Sequence, residues 1–192
     1  KSVKNDLRRR LKVKDSMIQV IPNIVDANEI RQKAGEQLLP AALGLEPNNY
    51  LVAVGRLDKQ KRFDRLLRAY AAAKVEQKLV IAGEGKLKGY LERVAINNHI
   101  QHKVMFVGHI DNPYPLIQQA KALVLTSDYE GLPTVLIEAL LLNTAVLATA
   151  CSGVREAVAG AKGAFIVPIR DEQRLAKGIQ YICNMPKLAI NA

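Results

Sequence analysis

Residues 122–138 read ALVLTSDYEGLPTVLIE. Ala122 to Leu125 is a short, continuously apolar run, the pattern of a strand covered on both faces. Pro133 suits the first turn of a helix, where its missing N–H has no partner to lose, and the sequence from Pro133 to Leu142 is long enough to continue that helix. Strand, loop and helix in so short a stretch form one βα unit. Such a unit calls for a parallel neighbour, because the crossover helix must bury its apolar stripe against a sheet.

The unit recurs in both directions along the chain. Upstream, the expected order is Tyr50 to Val54 strand, Phe63 to Ala73 helix, Lys78 to Ala82 strand, Lys86 to Ile96 helix, Val104 to Val107 strand and Pro113 to Gln119 helix. Downstream come Ala145 to Thr149 strand, Val154 to Ala159 helix, Ala164 to Val167 strand and Glu172 to Cys183 helix. Near the N-terminus, Met17 to Ile21 reads as a further strand closed by Pro22 and Asn23, and Asp26 caps a helix running towards Gln37. The expected fold is therefore α/β: a single Rossmann-like domain, a parallel sheet with helices on both faces. Its boundaries are a basic hinge or linker over 1–16, the folded domain over 17–185 and a tail over 186–192.

A chain of 192 residues, 49% hydrophobic and 24% charged, can hold one core of this kind. No apolar run approaches the roughly 20 residues that span a bilayer. A secretory leader pattern is also missing, so a cytoplasmic location is expected. Cys151 and Cys183 match no metal or redox spacing and read as reduced, buried residues. The net charge of +10 is concentrated at one end, where Lys1 to Lys14 holds seven basic residues against Asp6. Such an arm reads as a solvated linker or helix face, with anionic lipid or nucleic acid as alternative partners. Nucleic acid is disfavoured, because the arm has no interleaved aromatics and the chain offers no Trp, six Tyr and three Phe for stacking.

Ligands of parallel sheets bind beyond the carboxyl ends of the strands. The loop after Val54 reads Gly55-Arg56-Leu57-Asp58-Lys59-Gln60-Lys61-Arg62. Gly55 lets the backbone approach a ligand, while Arg56 supplies a planar fork and Lys61 a point charge for phosphate; ordinary surface charge is the competing reading. Gly83-Glu84-Gly85 begins like a dinucleotide fingerprint, but Lys88 stands where the third glycine belongs. That loop reads as a tight turn with room for a base or ribose, or as a plain turn. Gly108-His109-Ile110 leaves backbone groups open, and His109 can hydrogen-bond a base or sugar or simply be exposed.

After Leu125, Gly131 permits a sharp approach, and Thr134 and Val135 present free amides at a helix start, an anion site. Glu130 before that helix and Glu138 within it can accept hydrogen bonds from sugar hydroxyls. An idle Glu138 would be costly in its apolar surroundings. Asp128-Tyr129-Glu130 also has a minor metal-binding reading, without further oxygen ligands nearby to complete it.

Several motifs agree in order and spacing with one family. Ile21-Pro22-Asn23 with Val25-Asp26, Gly55-Arg56-Leu57 with Lys61-Arg62, Ala82-Gly83-Glu84-Gly85, Phe106-Val107-Gly108, and Glu130-Gly131-Leu132-Pro133 with Glu138 resemble the retaining glycosyltransferases of family four. These have the GT-B fold and include many bacterial lipopolysaccharide and capsule enzymes. The resemblance runs from about Ile18 to about Ile182. It implies one half of a GT-B fold, the C-terminal donor-binding domain, with the N-terminal acceptor-binding domain missing and the chain a fragment. It further implies transfer of a hexose from a nucleotide sugar, UDP in this family, to a glycan or lipid-linked acceptor, with no cofactor and no metal.

By position, the resemblance implies that the catalytic residues are Glu130, Arg56 and Lys61. Arg56 and Lys61 would hold the donor diphosphate, Glu138 the ribose hydroxyls and Glu130 the transferred sugar. The backbone of Leu132, Pro133, Thr134 and Val135 would lie near phosphate and sugar, while Gly83 to Gly85 and Gly108 to Ile110 would frame the base. The implied partners are the nucleotide-sugar donor, the acceptor domain and, for the whole enzyme, peripheral contact with the cytoplasmic face of the inner membrane. The stretch Ala145 to Gly153 departs from the family, with Ala145, Ala150 and Ser152 where proline, aspartate and glycine often stand, and no direct donor contact is assigned to it. The competing readings are an epimerase or phosphorylase of the same architecture and a non-catalytic basic module.

Overall fold

The computed structural model describes residues 2–19, 21, 23, 25–35 and 38–186. Six strands form one sheet: β1 (Tyr50–Val54), β2 (Lys78–Ala82), β3 (Val104–Gly108), β4 (Ala122–Leu125), β5 (Ala145–Thr149) and β6 (Ala164–Val167). All neighbours are parallel, in the order β3-β2-β1-β4-β5-β6. The helices are α1 (Ser2–Leu11), α2 (Ala27–Ala34), α3 (Leu38–Ala42), α4 (Phe63–Ala73), α5 (Lys88–Asn97), α6 (Tyr114–Gln118), α7 (Thr134–Leu141), α8 (Val154–Ala157) and α9 (Glu172–Asn184). The expected α/β domain with a parallel sheet and helices on both faces is the fold that forms.

Strand residues divide by parity, as a period of two requires. Leu51, Ala53, Leu79, Ile81, Val124 and Leu147 face one way and pack with α4, α5 and α9. Tyr50, Val52, Val80, Leu123, Leu125 and Val146 face the other way, towards α2, α6 and α7. Each buried Leu or Ile contributes roughly 1.5–3 kcal/mol. Both buried tyrosine hydroxyls are satisfied: that of Tyr50 donates to the Leu116 carbonyl at 2.6 Å, and that of Tyr70 donates to the Gln77 carbonyl at 2.6 Å. Asp26 caps α2 as expected, its Oδ1 accepting from the Asn28 and Glu29 amides.

Two local expectations are corrected. Asp15–Met17 is a single 3-10 turn, and Ile18, Gln19 and Ile21 are not in a strand. The Met17 and Ile18 amides bond back to Lys14 and Asp15, and Met17 and Ile21 are exposed, so no sheet edge completes a ladder there. Pro133 stands just outside α7, with ψ at 86°, and Thr134 is the first helical residue. The basic arm, read as a linker or helix face, forms α1. Val20, Pro22, the expected helix end at Gln37 and the tail after Pro186 lie outside the described residues.

The strand order fixes where a ligand can sit. The chain moves outward from β1 to β2 and β3, then crosses back to lay β4 on the other side of β1. The loops after β1 and β4 therefore diverge, opening a crevice at their carboxyl ends.

Candidate functional site

On one side of that crevice the loops after β1, β2 and β3 are laced together through their backbones. The Gly55 amide bonds to Ala82, Gly83 to Gly108, and Leu57 to Glu84, at 2.6–2.9 Å. Gly83 is where glycine is needed, since a Cβ there would lie 2.0 Å from the Gly55 carbonyl oxygen. This lacing leaves a cleft of about 240 Å³ lined by Val54, Gly55, Arg56, Ala82, Gly83, Glu84, His109 and Ile110. Five of the expected site residues thus meet in one place, Gly85 and Gly108 supporting the turns beside them. Arg56 is 77% exposed, with Asp58 at 3.4 Å, so its guanidinium is available above the cleft. His109 is largely exposed, 3.2 Å from Asp111.

Lys61 joins this cleft to the loop after β4. Its aliphatic chain covers Gly55, where a Cβ would lie 2.9 Å from Lys61 Cε. Its ammonium donates to Glu130 Oε1 at 2.7 Å, with the two side chains only 17% and 10% exposed. Ser127 Oγ donates to the same oxygen at 2.6 Å. Both bonds fall on Oε1, so Oε2 has no hydrogen-bond partner among the described residues. Gly131 faces open space, where an added Cβ would meet nothing within 4 Å, and its φ is not in the left-handed region; the backbone crowding in this loop is at Gly153.

Beyond Gly131, Leu132 and Pro133 lead into α7, whose first amides, Thr134 and Val135, have no acceptor among the described residues. The positive end of the helix is thus open to an anion. Glu138 follows one turn on. Burial pushes its carboxyl above the usual range, only partly offset by a hydrogen bond with Thr134, and Tyr114 of α6 is close enough to feel its charge.

The loop carrying Glu130 is held by residues to which the sequence pattern assigned no such role. Arg65, 2% exposed, donates to the Thr126 carbonyl at 3.1 Å and to Asp128 Oδ1 at 2.7 Å. Arg62 donates to Asp128 Oδ2 at 3.0 Å and continues through Asp64 to Arg68 and Glu172. Gln60 accepts from the Asp128 amide and donates to the Tyr129 carbonyl. Thr149 bonds the Ser127 carbonyl and Ser152 that of Glu130. Gln60 and Arg62 stood in the quoted loop after β1 without this role, and Arg65 left a trace as a charge at i, i+4 from Ala69 beside the apolar stripe of α4. The other partners lie far away in sequence. The Asp128 carboxylate is taken up by these two guanidiniums. Among the described residues no group of three or more His, Cys, Asp or Glu side chains is arranged around a metal position.

Elsewhere, Cys151 and Cys183 are free and buried. A concavity of about 560 Å³ at Arg8, Arg9, Lys12, Val13, Lys14 and Asp15 belongs to the N-terminal arm alone and receives nothing from the sheet loops. No helix among the described residues is long and apolar enough to cross a membrane.

Comparison with known proteins places this geometry in a family. Residues 36–191 match the family described as Glycosyl transferases group 1. The N-acetylgalactosamine-N,N'-diacetylbacillosaminyl-diphospho-undecaprenol 4-alpha-N-acetylgalactosaminyltransferase of Campylobacter jejuni is 33% identical over 184 residues, 95% of this chain and 49% of that protein. A second Campylobacter jejuni protein, GalNAc-alpha-(1->4)-GalNAc-alpha-(1->3)-diNAcBac-PP-undecaprenol alpha-1,4-N-acetyl-D-galactosaminyltransferase, is 34% identical over 144 residues, 72% of this chain and 40% of that one. The chain thus spans about half the length, or less, of these curated relatives. In fold it is similar to Anabaena HepE, solved in complex with UDP and glucose, with a TM-score of 0.79 at 21% identity over 89% of this chain and 48% of the other.

Proposed function

This chain belongs to the glycosyl transferases group 1 family, and on that premise we propose that it is the donor-binding half of a retaining, metal-independent transferase that takes a hexosyl group from a UDP-sugar. Its acceptor is a glycan or lipid-linked saccharide bound by a separate N-terminal domain, and the whole enzyme works at the cytoplasmic face of the membrane. The observation that carries this reading is the placement of Arg56, Lys61 and Glu130 around one crevice, at the point where the strand order reverses. Of the two cations on the β1 loop, Arg56 is exposed and Lys61 meets a carboxylate on the β4 loop, just before the open amides of α7.

Each part has work to do in such a transfer. The β2 and β3 loops leave a cleft of base or ribose size, and Glu138 offers a carboxylate to ribose hydroxyls. Arg56, Lys61 and the α7 amides stabilise the charge that develops on the departing diphosphate, where preorganised positive charge is most effective. Glu130 orients the glycosyl group through its hydroxyls. The two Campylobacter jejuni relatives are named as N-acetylgalactosaminyltransferases, which makes N-acetylgalactosamine the first hexosyl group to test.

Calorimetry tests the proposal directly. UDP and UDP-N-acetylgalactosamine are expected to bind, with affinities unchanged by chelator and lowered about tenfold by Arg56→Ala, the scale of a lost charge-assisted contact. Equal affinities for the variant and the parent protein would remove the diphosphate assignment, and loss of binding on chelation would remove the metal-independent mechanism.

A further inference from the structure

We infer that the Lys61–Glu130 ion pair is a selectivity device that favours a sugar nucleotide over the bare nucleoside diphosphate. The inference rests on the donor-site reading above. In this structure the two groups assigned to opposite ends of the donor satisfy each other, at 2.7 Å and with both side chains mostly withdrawn from water. Arg56 has no comparable partner and is mostly exposed. A diphosphate therefore meets one available cation and one already neutralised by an internal anion.

For Lys61 to reach a phosphate, its ammonium must leave Glu130. The carboxylate then keeps the Ser127 hydroxyl on Oε1 but loses a charge-assisted bond in a site only 10% exposed, which is unfavourable unless another donor replaces it. The hydroxyls of a bare nucleoside diphosphate are those of its ribose, assigned above to Glu138, so none is left for Glu130; its additional negative charge approaches the carboxylate and raises the cost. A nucleotide sugar brings hydroxyl donors attached to the same diphosphate, and the unpartnered Oε2 can accept one as Lys61 turns away. Phosphate and sugar recognition are thereby coupled through a single proton-rich contact that only the intact donor replaces at both ends. Once the glycosyl group has left, the carboxylate again competes for Lys61, which weakens the hold on the product nucleotide.

The device predicts an increase in affinity on removing a site carboxylate. Glu130→Gln keeps the shape and the Ser127 contact but abolishes the competing charge, and UDP should bind about five- to tenfold more tightly, the scale of one partly buried ion pair. The affinity ratio of UDP-N-acetylgalactosamine to UDP should fall correspondingly. Glu130→Asp, which retains the charge but withdraws it by one methylene, should change UDP affinity in the same direction by less. Adding Lys61→Met to Glu130→Gln should cancel the gain. UDP affinity unchanged or lowered in both Glu130 variants, with thermal melts like the parent's, overturns the device while leaving the donor-site reading intact. A parent protein that binds neither UDP nor the sugar nucleotide overturns that reading first.

Discussion

Gly153 lies so close beneath Gly131 that a Cβ on Gly153 would sit 2.2 Å from the Gly131 carbonyl oxygen. Gly153 also has a φ of 81°, in the left-handed region that a side chain disfavours. The two glycines therefore have opposite needs. One is required by the protein's own backbone, whereas the other borders empty space at the site.

Gly153→Ala should destabilise the protein by roughly 2–4 kcal/mol, because backbone must move to relieve the overlap and the residue is strained besides. Denaturant melts measure this. A change under about 0.5 kcal/mol would mean that the loop after β5 adapts freely.

Gly131→Ala should leave the melt within about 0.5 kcal/mol of the parent, since its Cβ meets nothing. If the open space receives the donor, UDP-sugar affinity should nevertheless fall about tenfold. Parent-like affinity would place the donor elsewhere.

Arg65→Met should cost roughly 2–4 kcal/mol, because it leaves the Thr126 carbonyl and one Asp128 oxygen without a donor next to a buried helix face. Asp128 retains Arg62 and some solvent contact, which keeps the cost below that of a fully buried broken pair. An unaltered stability curve would show that the clamp is not needed to hold the loop.

Asp64 provides a pH test. Burial opposes its ionisation, but the hydrogen bonds and charges of Arg62 and Arg68 outweigh burial and hold it at about 2, below the ordinary 3.8. A depressed folded value gives stability that is present above the ordinary value and lost as the pH falls towards 2. Its contribution is up to about 2 kcal/mol at neutral pH. Asp64→Asn should lower stability at pH 7, with the deficit closing between about pH 4 and 2. A deficit independent of pH would assign the effect to packing.

Glu138 has the opposite sign. Burial raises its pKa, so the ionised form is a cost to the folded state, absent at low pH and incurred as the pH rises through the raised value. Glu138→Gln should therefore raise the melting temperature at pH 7.5, by an amount that shrinks on acidification, while weakening binding of the donor's ribose. Loss of stability together with affinity would make Glu138 a structural residue only.

The sequence alone determined the alternation of apolar runs and helices, because continuous runs such as Leu51–Ala53 and Leu123–Leu125 can be buried only in a sheet covered on both faces. It also marked Gly55, Arg56, Lys61, Glu130 and Glu138 as candidates, since glycines, paired charges and a proline near a helix start at strand ends carry local meaning. It misjudged Met17, Ile18 and Ile21, where apolar residues promised a strand but, among the described residues, no neighbouring edge pairs with them. Strand order, and with it the meeting of the β1 and β4 loops, was decided by tertiary structure. So were the pairing of Lys61 with Glu130, the two-arginine grip on Asp128 and the seating of Gly153 under Gly131. Each of these joins residues tens of positions apart. Local propensity and spacing carry no information about such contacts, which come into being only when the sheet closes and its loops must satisfy one another's charges and backbone groups.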